Sequence, residues 1–196
     1  ALNTEKLLKL KYNSQLFNEL LNPCFYADGI GALMLVKGDY SRVPGVELWI
    51  EILDRVAYRD YSICIIGATE GVNSKAVEML TARYPNLIIS GLNGFSNDTE
   101  YAKFVELNKP DITFVAMGSP LQEKLISKLQ RTKQDTLYMG IGGSLDVFVG
   151  NVRRAPKLFR KLNVEFLYRL IVDPIRIFRY TSLLKFMAFY LSGKIR

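Results

Sequence analysis

Histidine is absent from this chain of 196 residues. Its absence removes Ser-His-Asp and Cys-His nucleophilic catalysis, the zinc-hydrolase motifs and any imidazole general base. Acid–base work then falls to Asp, Glu, Lys, Tyr or Cys, with a carboxylate the plainest choice. Cysteine is scarce as well, with only Cys24 and Cys64. Two cysteines make neither a disulfide framework nor a zinc site, which fits a reducing cytoplasm. Cys64 sits in an apolar run and reads as a small buried hydrophobe rather than a reactive thiol. No apolar run approaches the roughly 20 residues of a membrane-spanning helix. The opening Ala1-Leu-Asn3 lacks the charged start of a secretory signal. There is no internal repeat, no G-x-G-x-x-G and no G-x-x-x-x-G-K-[ST], so a dinucleotide fingerprint and a P-loop are both disfavoured. There is no D-x-D either, which weighs against a site where carboxylates hold a divalent ion on a diphosphate.

What is present is ordinary for a globular chain: 49% hydrophobic and 23% charged residues, with eleven Tyr and eleven Phe beside the single Trp49. The length suits one compact domain with an appendage. The net charge of +7 is unevenly placed. Residues 153–196 hold eleven Lys or Arg against Glu165 and Asp173, a net +9, and residues 1–152 carry −2. A near-neutral body with a basic tail points to a membrane surface or to nucleic acid.

Along the middle of the chain, short apolar runs alternate with longer amphipathic ones. Tyr61–Gly67, Leu87–Ser90, Asp111–Met117 and Thr136–Ile141 read as buried strands. Glu70–Tyr84 reads as a helix with Val72, Ala76, Val77, Leu80 and Tyr84 on one face. Ser96–Glu100 reads as a helix start capped by Asp98 or Ser96, and Ser119–Arg131 as a helix with Pro120 in its first turn. This rhythm predicts an α/β fold: an open, parallel, Rossmann-like sheet flanked by helices. Upstream, Glu5–Leu21 and Pro44–Val56 are expected helices, with Asp28-Gly-Ile-Gly31 a loop between them. Past Gly150 the pattern changes to successive basic helices at Pro156–Leu162, Glu165–Val172 and Pro174–Leu191. The expected division is an α/β catalytic domain over residues 1–152 and a basic amphipathic appendage over 153–196.

Each expected strand runs into glycine: Gly67 after the first, Gly91 and Gly94 after the second, Gly118 after the third, and Gly140, Gly142 and Gly143 after the fourth. Singly, each glycine is explained by a tight turn. Together they mark the carboxyl-end crevice of an open parallel sheet, where ligands bind and phosphates can approach the backbone and helix starts. Without a metal site, the charge of a departing diphosphate would be absorbed by arginines and helix ends.

Several segments together resemble the WecG/TagA/CpsF glycosyltransferase family. They are Tyr26-Ala-Asp-Gly29, Ser41-Arg-Val-Pro-Gly45, Met117-Gly-Ser-Pro-Leu-Gln-Glu123, Tyr138-Met-Gly-Ile-Gly-Gly-Ser-Leu-Asp-Val-Phe-Val-Gly150, Arg153-Arg-Ala-Pro156 and Glu165-Phe-Leu-Tyr-Arg-Leu170 followed by Pro174 and Arg176. The segments stand in family order over nearly the whole chain, and Tyr-Ala-Asp-Gly and Tyr-Met-Gly lean towards the WecG branch. The resemblance implies an inverting, metal-independent transfer that needs no cofactor. An N-acetylmannosamine-type sugar (ManNAcA or ManNAc), or in some members glucose, would pass from UDP to an undecaprenyl-diphosphate-linked acceptor in bacterial surface polysaccharide synthesis.

The resemblance also implies roles. Asp28 is the general base towards the acceptor hydroxyl; read alone, Asp-Gly equally stabilises a turn. Arg42 and Gln122 stand at active-site positions contacting sugar or phosphate; read alone they are a surface charge and a solvated helix residue. Gly142, Gly143 and Asp146 match the part that holds uridine, with helix capping the plainer reading of Asp146. Gly67, Gly94 and Gly118 complete the expected UDP-binding set. The family pattern opens with Thr-x-Asn, of which this chain retains Asn3 but not the threonine.

In the basic tail, Arg169, Arg176 and Arg179 are spaced for one helical side, interrupted by Pro174. The family implication is that they fold over the active site and neutralise the departing diphosphate, which a guanidinium fork suits; the plainer reading is a solvated basic face. Ile175, Phe178, Leu184, Phe186 and Phe189 alternate with Arg and Lys, a composition suited to the interface of an anionic bilayer or to a core or oligomer helix. Each basic residue near such a surface adds about 1 kcal/mol. The expectation is a peripheral enzyme on the cytoplasmic face of the bacterial inner membrane, with a UDP-sugar donor and a lipid-linked acceptor as partners. Nucleic acid is not expected as a partner, and an oligomer is compatible. The rival from another class is a non-catalytic module binding nucleic acid or anionic lipid through the tail, with strongly salt-dependent binding and no turnover.

Overall fold

The computed structural model describes residues 6, 20–28, 30–33, 42–156, 159, 168, 188 and 192. The expected helices over Glu5–Leu21, Pro156–Leu162, Glu165–Val172 and Pro174–Leu191 lie almost wholly outside them; Lys6, Phe159, Tyr168 and Ala188, which are described, are helical.

In chain order the described elements are α1 (Ile30–Leu33), α2 (Gly45–Val56), β1 (Ser62–Gly67), α3 (Glu70–Arg83), β2 (Ile88–Leu92), α4 (Asp98–Asn108), β3 (Ile112–Ala116), α5 (Leu121–Thr132), β4 (Leu137–Gly140) and α6 (Ser144–Phe148). The chain forms two compact units, one of residues 1–14, 24–44 and 153–196, the other of residues 15–23 and 45–152. The second holds a four-stranded sheet of order β2-β1-β3-β4, parallel throughout. Among the described residues no helix is long and apolar enough to cross a membrane.

The parallel sheet follows from sequence. β1 and β3 are central, carry continuous apolar runs and are buried along almost their full length, as strands covered on both faces must be. Gly91, Ile65, Phe114 and Met139 form one register row, and Leu92, Ile66, Val115 and Gly140 the next, facing the opposite side. On the first face Trp49 of α2 is fully buried, with its ring edge-on to Phe114 at 5.6 Å and to Phe148 of α6 at 5.4 Å. On the other face Ile66 and Val115 pack with Tyr101 and Val105 of α4 and Leu125, Ile126 and Leu129 of α5.

Local chemistry sets the element ends. α4 is capped by Asn97, not by Asp98 or Ser96. The Asn97 side chain accepts the Glu100 N–H at 3.0 Å and the Glu100 carboxylate accepts the Asn97 N–H at 3.2 Å, a reciprocal box that neither neighbour could close. Gly91 lies inside β2 rather than after it. The expected loop at 28–31 is cut short, because Ile30 and Gly31 already belong to α1.

Candidate functional site

In the strand order β2-β1-β3-β4, the connection through α3 leaves β1 towards one edge and the connection through α4 returns to its other side. The carboxyl ends of β1 and β3 therefore flank a topological switch point, where open α/β sheets bind ligands. Gly67 ends β1 with φ +123°, and a Cβ there would lie 2.4 Å from the Ala116 carbonyl oxygen. No side chain fits, so the two strand ends stay in backbone contact. Ala68, with φ +58°, donates its N–H to the Ala116 carbonyl at 3.0 Å and accepts the Gly94 N–H at 2.8 Å. The loops after β1 and β2 are thus joined to each other and to the end of β3 by main-chain hydrogen bonds.

The loop after β2 is braced further. The Asn93 amide donates to the Glu70 carboxylate in the first turn of α3, and its oxygen accepts the Phe95 N–H at 2.8 Å. The Tyr101 hydroxyl donates to the Asn93 carbonyl and accepts the Ser96 N–H, both at 3.2 Å. Burial, the largest cause, raises the pKa of this phenol. Phe95 on the braced loop is 80% exposed.

Gly118, with φ +73°, follows β3, and its carbonyl accepts the Gln122 N–H at 2.9 Å. Gln122 is not a solvated helix residue. It is buried, its Oε1 accepts the Gly142 N–H at 2.9 Å, and its Nε2 donates to Glu123 Oε1 at 3.1 Å. Gly140 makes room for it, since a Cβ there would come within 2.5 Å of Gln122 Nε2. Gly142 itself has φ +52°. Gly143 is the residue before α6, exposed, with no side-chain cap there. Asp146 lies in the first turn of α6 and its Oδ1 accepts the Asn151 amide at 3.1 Å. Beside these residues an open depression of about 410 Å³ is bordered by Thr69, Val72, Lys75, Gly150 and Asn151.

Asp28 and Arg42 belong to the other unit. The Arg42 Nε donates to the Asp28 backbone carbonyl at 2.7 Å, and the Val43 N–H to the Ala27 carbonyl at 2.9 Å. These two bonds hold the Tyr-Ala-Asp segment against the Arg-Val-Pro segment. Both side chains are half-buried. The Tyr26 hydroxyl is buried and has no hydrogen-bond partner among the described residues. Burial first, then the negative charge of Asp28, push its pKa well above the ordinary phenol value.

The carboxyl ends of the sheet therefore bring together Gly67, Gly94, Gly118, Gln122, Gly142, Gly143 and Asp146 from the expected set, and separately one hydrogen bond joins the Arg42 side chain to the Asp28 carbonyl. Asn3, Arg169, Arg176 and Arg179 lie outside the described residues. The motifs did not single out the buried partners of these loops. Glu123 follows Gln122 directly, and Asn73 sits on the apolar face of α3 between Val72 and Ala76. A polar residue on a stripe destined for burial was the available signal.

An open parallel sheet with this crevice defines a ligand-binding α/β protein of the doubly wound class. The family model for the Glycosyl transferase WecG/TagA/CpsF family matches residues 1–196. The chain belongs to that family, and it is a glycosyltransferase of cell-surface polysaccharide synthesis that takes a sugar donor and an acceptor.

Proposed function

We propose that this enzyme transfers an N-acetylmannosamine-type sugar, ManNAcA or ManNAc, from UDP to an undecaprenyl-diphosphate-linked GlcNAc, with inversion and without a metal. The observation that carries the reading is the braced glycine crevice at the switch point. There Gly67 and Gly94 let the strand-end loops pack main chain against main chain, and Gly118 and Gly142 leave open space where a side chain would stand. Such a surface suits a diphosphate and ribose. Gly142, Gly143 and Asp146 take the uridine end. Gln122, buried behind Gly142, fixes that turn.

In the reaction the acceptor hydroxyl gives its proton to the Asp28 carboxylate as its oxygen attacks the anomeric carbon. The new C–O bond forms on the face opposite the leaving group, and the bond from that carbon to the UDP β-phosphate oxygen breaks with its electrons. Arg42 holds the Asp28 segment through the Asp28 carbonyl. Asn3 assists at the sugar, and Arg169, Arg176 and Arg179 neutralise the departing diphosphate. The basic residues of 153–196 dock the enzyme on the anionic cytoplasmic face of the membrane, where a polyprenyl acceptor is confined.

The test is sugar transfer by the full-length chain in detergent with chelator. The acceptor is a short-chain lipid-diphosphate-GlcNAc, and UDP-ManNAcA, UDP-ManNAc and UDP-glucose are supplied separately. Product from a ManNAc-type donor alone is expected. Product only from UDP-glucose would replace the donor, and no product from any donor would overturn the reading.

A further inference from the structure

Asn73 has no counterpart in the motifs that define the site, yet it is tied to two of the strand ends that build it. It lies on α3 and is 3% exposed. Its Nδ2 lies 3.2 Å from the Ile65 carbonyl oxygen, 2.9 Å from that of Gly67 and 3.1 Å from that of Leu92. The first two are on β1 and the third ends β2. An amide nitrogen carries two hydrogens, so three carbonyls share two protons and every bond direction of that nitrogen is used. The strand opposite is shaped to it: a Cβ at Gly91 would sit 2.2 Å from Asn73 Oδ1 and 2.6 Å from a Val77 methyl. Asn73 and Gly91 are therefore two halves of one fit, a buried amide and the missing side chain that admits it.

The bonded carbonyls lead directly into the crevice wall. Beyond the Gly67 carbonyl is the Ala68 N–H, which crosses the switch point to Ala116. Beyond the Leu92 carbonyl is Asn93, which reaches back to Glu70. The Gly67–Ala68 and Leu92–Asn93 peptides, one after each strand, are thus both held by the same amide.

We infer that Asn73 is a positioning residue for the sugar-nucleotide donor. It orients the Gly67–Ala68 and Leu92–Asn93 peptides so that the crevice keeps the width the donor needs. It touches no substrate, and the inference rests on the proposed donor reading. Removing the amide takes a hydrogen-bond partner from the Gly67 and Leu92 carbonyls, and their peptides turn to recover one, which changes the wall of the site.

The experiment uses full-length Asn73→Ala, Asn73→Asp, Gly91→Ala and the double Asn73→Ala/Gly91→Ala variant. Donor KM, kcat per folded enzyme, acceptor KM, equilibrium UDP binding and urea stability are measured for each. Each single variant is expected to raise donor KM and UDP Kd by about tenfold, the scale of one lost hydrogen bond. Acceptor KM and kcat at saturating donor stay close to the parent values. Gly91→Ala pushes both the amide and the Val77 methyl aside, but only the amide bonds the strand-end peptides, so the double variant is no worse in donor KM than Asn73→Ala alone. Lower stability with unchanged donor KM and UDP Kd would assign Asn73 a purely structural role and overturn the inference. Additive KM effects in the double variant would break the proposed Asn73–Gly91 fit and overturn it too. A parent enzyme that neither binds UDP nor transfers sugar removes the functional reading itself, and this inference with it. An active parent with unaffected variants removes the inference alone.

Discussion

The side-chain oxygen of Gln122 accepts the backbone N–H of Gly142 at 2.9 Å, so the start of α5 and the glycine turn after β4 are held as one piece. The fit depends on Gly140, where a methyl group would fall 2.5 Å from Gln122 Nε2. Gly140→Ala should therefore displace the amide and leave a buried bond unmade, at a cost of about 1–3 kcal/mol. Urea unfolding and transfer assays check this, with activity per folded enzyme expected to fall alongside stability. Unchanged stability and activity would show that Gln122 relaxes freely and does not set the turn.

The cap of α4 makes a second, purely structural prediction. Asn97→Ala removes the side-chain half of the reciprocal box and should cost about 1 kcal/mol. Ser96→Ala and Asp98→Ala should cost less. Asp98 makes an exposed ion pair with Lys128, a kind of interaction of little net worth. Chemical denaturation of the three variants decides it; a larger loss at Asp98 than at Asn97 contradicts the assignment.

Burial pushes the Cys64 thiol up from 9.0 to about 12, and burial likewise raises Tyr138 from 10.0 to about 12. Both groups favour their protonated forms in the folded chain. Their contribution is fully present below the unfolded values and is lost as pH rises through the folded ones. Stability should fall between about pH 9 and 12, and Cys64→Ala should make that fall shallower. Urea midpoints measured between neutral and alkaline pH give the slope. A variant with the slope of the parent would show that Cys64 does not titrate on unfolding.

The membrane proposal has its own signature. The full-length chain should bind vesicles containing anionic lipid at low salt and detach as ionic strength rises, because basic residues at an anionic surface act through screened attraction. Cosedimentation reads this directly. Equal binding to neutral vesicles, or binding indifferent to salt, would contradict docking through the basic tail.

The layered fold was legible because each central strand is a short apolar run bounded by glycine or proline, and the connecting helices keep their apolar period. All four strands fall within about two residues of their expected ends. The crevice was legible for the same reason, since Gly67, Gly118 and Gly142 punctuate strand ends and each adopts a positive φ. The brace behind it was not. Asn73 and Gln122 are polar residues on helices, and whether such a residue faces water or a strand carbonyl depends on partners 6 to 20 residues away. Gly91 misled for a related reason: it looks like a turn, but it sits inside β2 to admit a side chain from α3.

The account turns on Asp28 as the base that takes the acceptor proton. The most direct measurement is the transfer rate of Asp28→Asn against the parent chain, both full length, with donor binding measured in parallel. The account predicts a fall in kcat of roughly 10²- to 10⁴-fold, the scale of a positioned acid–base group, with UDP binding retained. An Asp28→Asn variant that transfers sugar at close to the parent rate would contradict it.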